Sequence, residues 1–331
     1  MKSICGAALA ISMFITPCIA AQSPAQNRQT LMLVLPAGRG GIPLPDGDGW
    51  EPQSLSLTDG SRRVIAQVKR GDVNVSYILE STGYKNITAA ACRNDTIASI
   101  ERNFGDSIKH RKDSESRNAT NQAIATTEYF LEVPQAKDAF APNLFGFIAF
   151  DGNCAEVHVS QIARSLPDME PLRHLVSSFS LDTTYEPTFT DYMRMASVMF
   201  KQQPDSAVPY YRAASLVIPH GENEKLFRRL VTDQLAMALG MSGDLQGSRK
   251  VSEEAIKTDP EYPMNYYMLA CGDAEKGDAA GAKANLQMAW ERRGNMLPGE
   301  KFPNPSTDDS LLKLKKNKEF WAYVVSLNEK S

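Results

Sequence analysis

Motifs for metal or nucleophilic chemistry are missing from this sequence. Its four histidines, His110, His158, His174 and His220, stand singly, with no His-Glu-x-x-His and no cysteine pair at zinc-finger spacing. There is no Gly-x-Ser-x-Gly elbow, so the commonest serine-hydrolase signature is absent. Charge of one sign is missing too. Lys and Arg number 36 against 39 Asp and Glu, a net charge of −3, and no overall basic field points to nucleic acid or anionic lipid. The locally basic run Lys313, Lys315, Lys316 and Lys318 reads as a solvated face near a helix start. Beyond the N-terminal residues no stretch is long and apolar enough to span a membrane. No cofactor or metal site is expected from any of this.

The glycine-rich stretch Ala37–Gly49 looks at first like a phosphate cradle. It lacks the Gly-Lys-Ser/Thr ending, and no periodic helix follows it. As a calcium loop it has Asp46 and Asp48 but no closing Glu. A surface loop is the expectation there. Four Asn-x-Ser/Thr sequons, at Asn74, Asn86, Asn94 and Asn118, are expected to be unmodified.

What is present begins with a leader. Met1-Lys2 is a short positive start, Ile4–Ile15 is apolar and Ala-rich, and small residues follow Pro17 up to Ala20 and Ala21. This reads as a cleaved signal peptide over residues 1–21, which places the protein in the periplasm or outside the cell. Pro17 before Cys18 is a poor match to lipoprotein processing, so no lipid anchor is expected at Cys18. Cysteine is scarce, five in all, and removal of the leader leaves Cys92, Cys154 and Cys271. In an oxidising compartment Cys92 and Cys154 are the candidates for one bridge, contributing about 4 kcal/mol by loop entropy. Cys271 is expected to be a packed thiol.

A chain of 331 residues suggests two domains. From residue 30 to 182 the pattern is mixed. Arg63–Lys69 and Val73–Leu79 form a hairpin, the second strand carrying Val73, Val75, Tyr77 and Leu79 on one face. A helix follows, capped by Asn94 or Asp95, with Ile97, Ile100 and Phe104 on one side and Gly105 at its end. Strands are expected over Ala123–Val133, Leu144–Phe150 and Ala155–Ile162, with a tight turn at Asp151-Gly152. Asp168 caps a second helix striped by Leu172, Leu175, Val176 and Phe179. This order predicts an α+β domain, an antiparallel sheet with packed helices. The element order resembles the PsbP-like sandwich of photosystem accessory proteins and some bacterial secreted domains. His158, between Val157 and Val159, should point away from the apolar side of its strand. Residues 183–190 read as a linker.

From residue 191 onward the period is helical. Leu235-Ala236 returns 34 residues later as Leu269-Ala270, Gly243-Asp244 as Gly277-Asp278, Ser248 as Ala282, and Ala255 as Ala289. Small residues allow close helix crossings, and each Gly-Asp turns the chain and caps the next helix. An earlier, stretched pair covers Tyr192–Phe200 and Ala207–Leu216, with about seven extra residues near His220–Asn223. After breaks at Leu297–Glu300 and Phe302–Pro305, the Asp308-Asp309-Ser310 start and a last helix with Phe320, Trp321, Val324, Val325 and Leu327 close the stack.

A 34-residue echo with these small residues resembles the tetratricopeptide repeat. The resemblance implies an all-α helical solenoid of about three units over residues 191–331, closed by a C-terminal capping helix. It also implies a groove lined by the first helix of each unit, here by Asp233 and Met237, then Tyr267 and Cys271. The expected function is non-enzymatic, an envelope adaptor or scaffold that binds a protein or peptide segment in that groove. The alternatives are an immunity or inhibitor protein acting through the N-terminal domain, for instance by the Arg39–Gly49 loop, and a hydrolase with dispersed catalytic residues.

Overall fold

Alternation of apolar and polar residues over the first half of the chain folds into one large antiparallel sheet. The computed structural model describes residues 31–45, 49–58, 60, 62–132, 139–165 and 167–328. The expected signal peptide, Cys18 and the Asp46–Asp48 part of the glycine-rich stretch lie outside the described residues. The chain divides into two compact units, residues 28–191 and 192–331, an antiparallel-sheet unit followed by helices.

The first unit starts with a short pair, β1 (Met32–Leu33) and β2 (Ile42–Pro43). Part of the expected surface loop is therefore strand. Leu33 and Ile42 are fully buried, and Gly40 and Gly41 donate to the carbonyls of Tyr185 and Asp182. The main sheet holds β3 (Glu51–Thr58), β4 (Arg63–Arg70), β5 (Val73–Ser81), β6 (Ile108–Arg117), β7 (Ala123–Glu132), β8 (Phe140–Phe150) and β9 (Asn153–Gln161). Its order is β3-β4-β5-β9-β8-β7-β6. The Asp151-Gly152 turn joins β8 to β9 with positive φ at both residues, 45° and 78°, as a primed two-residue hairpin requires.

Two of these strands carry little or no apolar signature, β3 only Leu55 and Leu57 near its end. β6 is exposed along nearly its whole length and reads Ile-Lys-His-Arg-Lys-Asp-Ser-Glu-Ser-Arg. β3 carries Pro52 and a register shift between Pro52 and Ser54. Both are the outer strands of the sheet, where charge, proline and bulges block pairing with another chain. The same constraint hides them from a search for alternation.

Register sorts the remaining residues onto two faces. Tyr77, Val157 and Gly146 stand in one cross-strand row, and Ile78, Glu156 and Phe147 in the next. Helix α1 (Ala89–Phe104) covers the Phe147 face over β7 and β8, where Cys92 and Ile97 meet Ala125, Tyr129, Phe145 and Phe147. Its cap is Thr88, which accepts from the Ala91 amide, rather than Asn94 or Asp95. The helix begins nearly two turns earlier than its apolar stripe indicates, and Phe104 is exposed. Helix α2 (Glu170–Ser177) covers the other face over β8 and β9. Gly146 permits its approach, since a Cβ there would lie 2.8 Å from Val176 Cγ1. The N-cap of α2 is Met169, one residue after the expected Asp168, whose Oδ1 accepts from the Glu170 amide at 3.0 Å. Cys92 and Cys154 form a disulfide with Cα atoms 5.9 Å apart, tying the first turn of α1 to β9. The stretch read as a linker is held to this unit by the bonds that Gly40 and Gly41 donate to Tyr185 and Asp182, and the Tyr185 and Thr188 hydroxyls donate to Asp191 at 2.7 and 2.6 Å.

The second unit is made of α3 (Phe189–Gln202), α4 (Pro204–Leu216), α5 (Glu224–Met241), α6 (Leu245–Thr258), α7 (Pro263–Glu275), α8 (Ala279–Glu291), α9 (Asp309–Leu312) and α10 (Lys318–Asn328). Pro204 and Pro263 open their helices, where a missing N–H costs nothing. Gly243 and Gly277 take φ of 92° and 79°. The following Asp244 and Asp278 cap α6 and α8 by accepting from the Gly247 and Gly281 amides at 2.8 and 2.9 Å. Each such cap stabilises its helix by about 1 kcal/mol. The stretch before α5 is only partly loop, because α5 has 18 residues against 13 in its echo α7. α7 lies at the centre, packed against α5, α6, α8 and α9, and almost all of its residues are buried.

Candidate functional site

The four residues expected to line a groove fall on α5 and α7, two helices that pack against each other. Asp233 and Met237 sit one turn apart on α5, and Tyr267 and Cys271 one turn apart on α7. They do not form an open groove. Tyr267 is 2% exposed, Cys271 2% and Asp233 4%, and Met237 is half-buried. The cause is the chain's own C-terminal stretch. Proline and glycine at 298, 299, 303 and 305 keep it out of a regular helix, and it runs along the α7 side of the unit.

Side-chain chemistry fixes its path. The Phe302 ring meets Tyr267 and Trp290 edge-on, with centroids 5.5 and 5.6 Å away. Tyr267 Oη donates to Asp308 Oδ2 at 3.2 Å, and Cys271 Sγ lies 3.8 Å from Asp308 Oδ1. The same carboxylate caps α9 by accepting from the Ser310 and Leu311 amides at 3.0 and 3.2 Å. Burial raises the Asp308 carboxyl above its usual range, and these donors hold it down in part. Lys313 pairs with Glu275 of α7, and Phe320, Val324 and Leu327 anchor α10. The expected closure of the stack is thus laid across the expected groove.

Near α5 the same stretch brings a second carboxyl. Tyr262 Oη lies 3.5 Å from Glu300 Oε2, and Glu300 adds repulsion to Asp233. Asp233 Oδ1 has no hydrogen-bond donor. Burial, and then Glu300, push the Asp233 carboxyl up to about 7. Arg229, whose guanidinium stacks over Tyr262 at 4.9 Å, is committed elsewhere. It donates to both Asp259 oxygens, at 2.5 and 3.1 Å, and to the Asn295 carbonyl at 2.9 Å.

On the sheet, β9 places Cys154, Glu156 and His158 on one face. Glu156 is buried and accepts from Thr96 Oγ1 at 3.2 Å. Burial pushes its carboxyl up to about 7 against the opposing pull of Arg63. His158 lies opposite Val157 and Val159 as the alternation predicts, yet it is covered. Its ring stacks on Phe145 at 4.1 Å, its Nε2 lies 2.9 Å from Asn143 Oδ1, and burial lowers its pKa to about 4. Alternation along the strand gives no sign that Glu156 is buried. The disulfide held the clue: once Cys154 is tied to α1, residues two and four positions further on must share the face that α1 covers. Ser76 stands opposite His158 in register.

Among the described residues no cluster of three or more His, Cys, Asp or Glu is placed to hold a metal ion. No helix among them is long and apolar enough to cross a membrane. No protein-family model matches the chain, and no curated protein matches it.

Proposed function

We propose that this is a non-enzymatic periplasmic or secreted protein that captures an extended segment of a partner protein along α5 and α7, in the manner of a tetratricopeptide-repeat adaptor. The observation that carries the reading is the path of Leu297–Asp308. The α7 surface holds a stretch that contains no α-helix, only a 3-10 turn at Pro305–Thr307, through an aromatic clamp of Tyr267, Phe302 and Trp290 and a carboxylate held by Tyr267. A surface able to hold one extended segment in cis has the chemistry to hold another in trans. Further support comes from the 34-residue echo and its twin Asp caps. The Cys92–Cys154 bridge favours an oxidising compartment, in keeping with the leader read in residues 1–21.

Site-specific photocrosslinking tests the proposal. A benzoylphenylalanine placed at Met237 or Lys301 of the full chain, in cells, should give a discrete adduct with one partner. The same probe at Gln67, on the exposed sheet surface, should give none. Adducts at Gln67 alone would move the function to the sheet unit.

A further inference from the structure

The two outer strands of the sheet are guarded unequally. β6 carries six charged side chains in ten residues and a register shift between Lys109 and Lys112, so its outer edge is closed to a further strand. β3 has its proline and its register shift at one end only, between Pro52 and Ser54. Beyond them runs Ser54-Leu55-Ser56-Leu57-Thr58, with no charge, proline or glycine. Among the described residues, β4 is the only strand paired with it. Alternate backbone N–H and C=O groups on the outer side of such a strand have no ladder partner, and they form a template for another strand.

The side chains specify the partner strand. Leu55 stands in the cross-strand row of Tyr77, Val157 and Gly146, on the α2 side of the sheet, and both Leu55 and Leu57 are buried. Ser54, Ser56 and Thr58 alternate onto the opposite side, where Ser56 is half-buried and Thr58 exposed. The order is the same in either direction: hydroxyl, Leu, Ser, Leu, hydroxyl. An antiparallel neighbour runs in the reverse direction, so the segment is complementary to itself. A two-fold axis at Ser56 sets Leu55 against Leu57 of the second copy, Ser54 against its Thr58, and Ser56 against its own counterpart. Leu then meets Leu on one face and hydroxyl meets hydroxyl on the other, with no like charges opposed. We infer that β3 pairs with β3 of a second copy of this chain, joining two sheets into one across an isologous interface. Ser54 already donates to Gln67 Oε1 at 2.6 Å, and β4, which carries Gln67, stays one strand removed from the second copy. Five residues a side fall short of the roughly 1,000 Å² of a stable interface. The pairing is therefore reversible, with a dissociation constant on the order of 10–100 µM.

Sedimentation equilibrium of the full chain tests this. Between about 1 and 300 µM the wild type should pass from monomer to dimer. Ser56→Lys and Ser56→Glu each bring like charges face to face across the axis. Each should weaken the dimer about tenfold or more and leave the melting temperature of the monomer unchanged. Mixing the two variants should restore a heterodimer, because opposite charges then meet at the one self-paired position. Ser56→Cys should crosslink into a dimer on mild oxidation, since residues directly opposite on antiparallel strands lie within disulfide reach. Ser54→Cys, set against Thr58, should not. A monomer at every concentration, a dimer that Ser56→Lys leaves intact, a Lys–Glu mixture that stays monomeric, or crosslinking of Ser54→Cys alone overturns the inference. The interface lies on the sheet unit, so each of these outcomes leaves the α5–α7 reading where it stands.

Discussion

Glu156 and His158 project from the same face of one strand, two residues apart, and burial moves their protonation in opposite directions. The Glu156 carboxyl rises from 4.5 to about 7, while the His158 imidazole falls from 6.5 to about 4. The folded chain keeps the Glu156 proton at pH values where the unfolded chain has lost it. That contribution is complete below pH 4.5 and disappears as pH rises towards 7. For His158 the unfolded chain takes up the proton first, so stability falls as pH drops from 6.5 towards 4. Between these limits the two slopes oppose each other. Glu156→Gln should therefore gain on wild type as pH rises from 4.5 to 7, and His158→Gln should gain as pH falls from 6.5 to 4. Each change is on the order of 3 kcal/mol at most. Denaturant midpoints at several pH values read it, and variants that run parallel to wild type across the range would refute the pairing.

The bridge between Cys92 and Cys154 closes a loop that contains α1 and the strands β6, β7 and β8. Converting both to Ala should cost about 4 kcal/mol on the chain-entropy account and loosen α1 from β7 and β8. Peptide mapping under non-reducing conditions should recover the linked pair, and hydrogen exchange should locate the loosening in α1. Retained protection of α1 in the double variant would show that Ile97 and its aromatic neighbours hold the helix by themselves.

The legible parts of this fold were those where local chemistry and burial agree. Val75 and Leu79 alternate because one face of β5 is covered. Gly243-Asp244 and Gly277-Asp278 repeat because each must reverse the chain and then cap a helix. β6 was not legible because an outer strand is kept soluble by charges that suppress alternation. The Thr88 cap was missed because Ala89–Ala91 carry no periodicity. The covering of the candidate groove residues was illegible for a different reason. Tyr267 and Cys271 are met by Phe302 and Asp308, more than thirty residues further along, and no local pattern encodes that contact.

Gly281 sits where the Asp278 carboxylate folds back to cap α8. A Cβ at this position would come within 2.5 Å of Asp278 Oδ2 and 2.9 Å of Asp273 Oδ2. In an open helix Gly→Ala adds up to about 1 kcal/mol of stability. Here Gly281→Ala should instead destabilise by about 1 kcal/mol, because the cap is forced away. In an Asp278→Ala background the substitution should recover most of its normal benefit. Additive effects of the two changes in a thermal melt would mean that the cap does not govern this site.

Tyr267 tests whether the C-terminal stretch is integral to the helical unit. Its hydroxyl is a donor to the buried Asp308, and its ring supports Phe302. An open groove would tolerate Tyr267→Ala without loss of stability. The closed arrangement predicts a loss of about 3 kcal/mol or more from the vacated ring volume. Tyr267→Phe keeps the ring and removes one donor, so it should cost about 1–3 kcal/mol. Asp308→Asn retains a capping oxygen for α9 and carries no charge that needs the tyrosine. In that background Tyr267→Phe should cost much less, giving a coupling of roughly 1 kcal/mol in a double-mutant cycle. Zero coupling, together with an unchanged melt for Tyr267→Ala, would mean that the stretch detaches in solution and leaves the α5–α7 surface open.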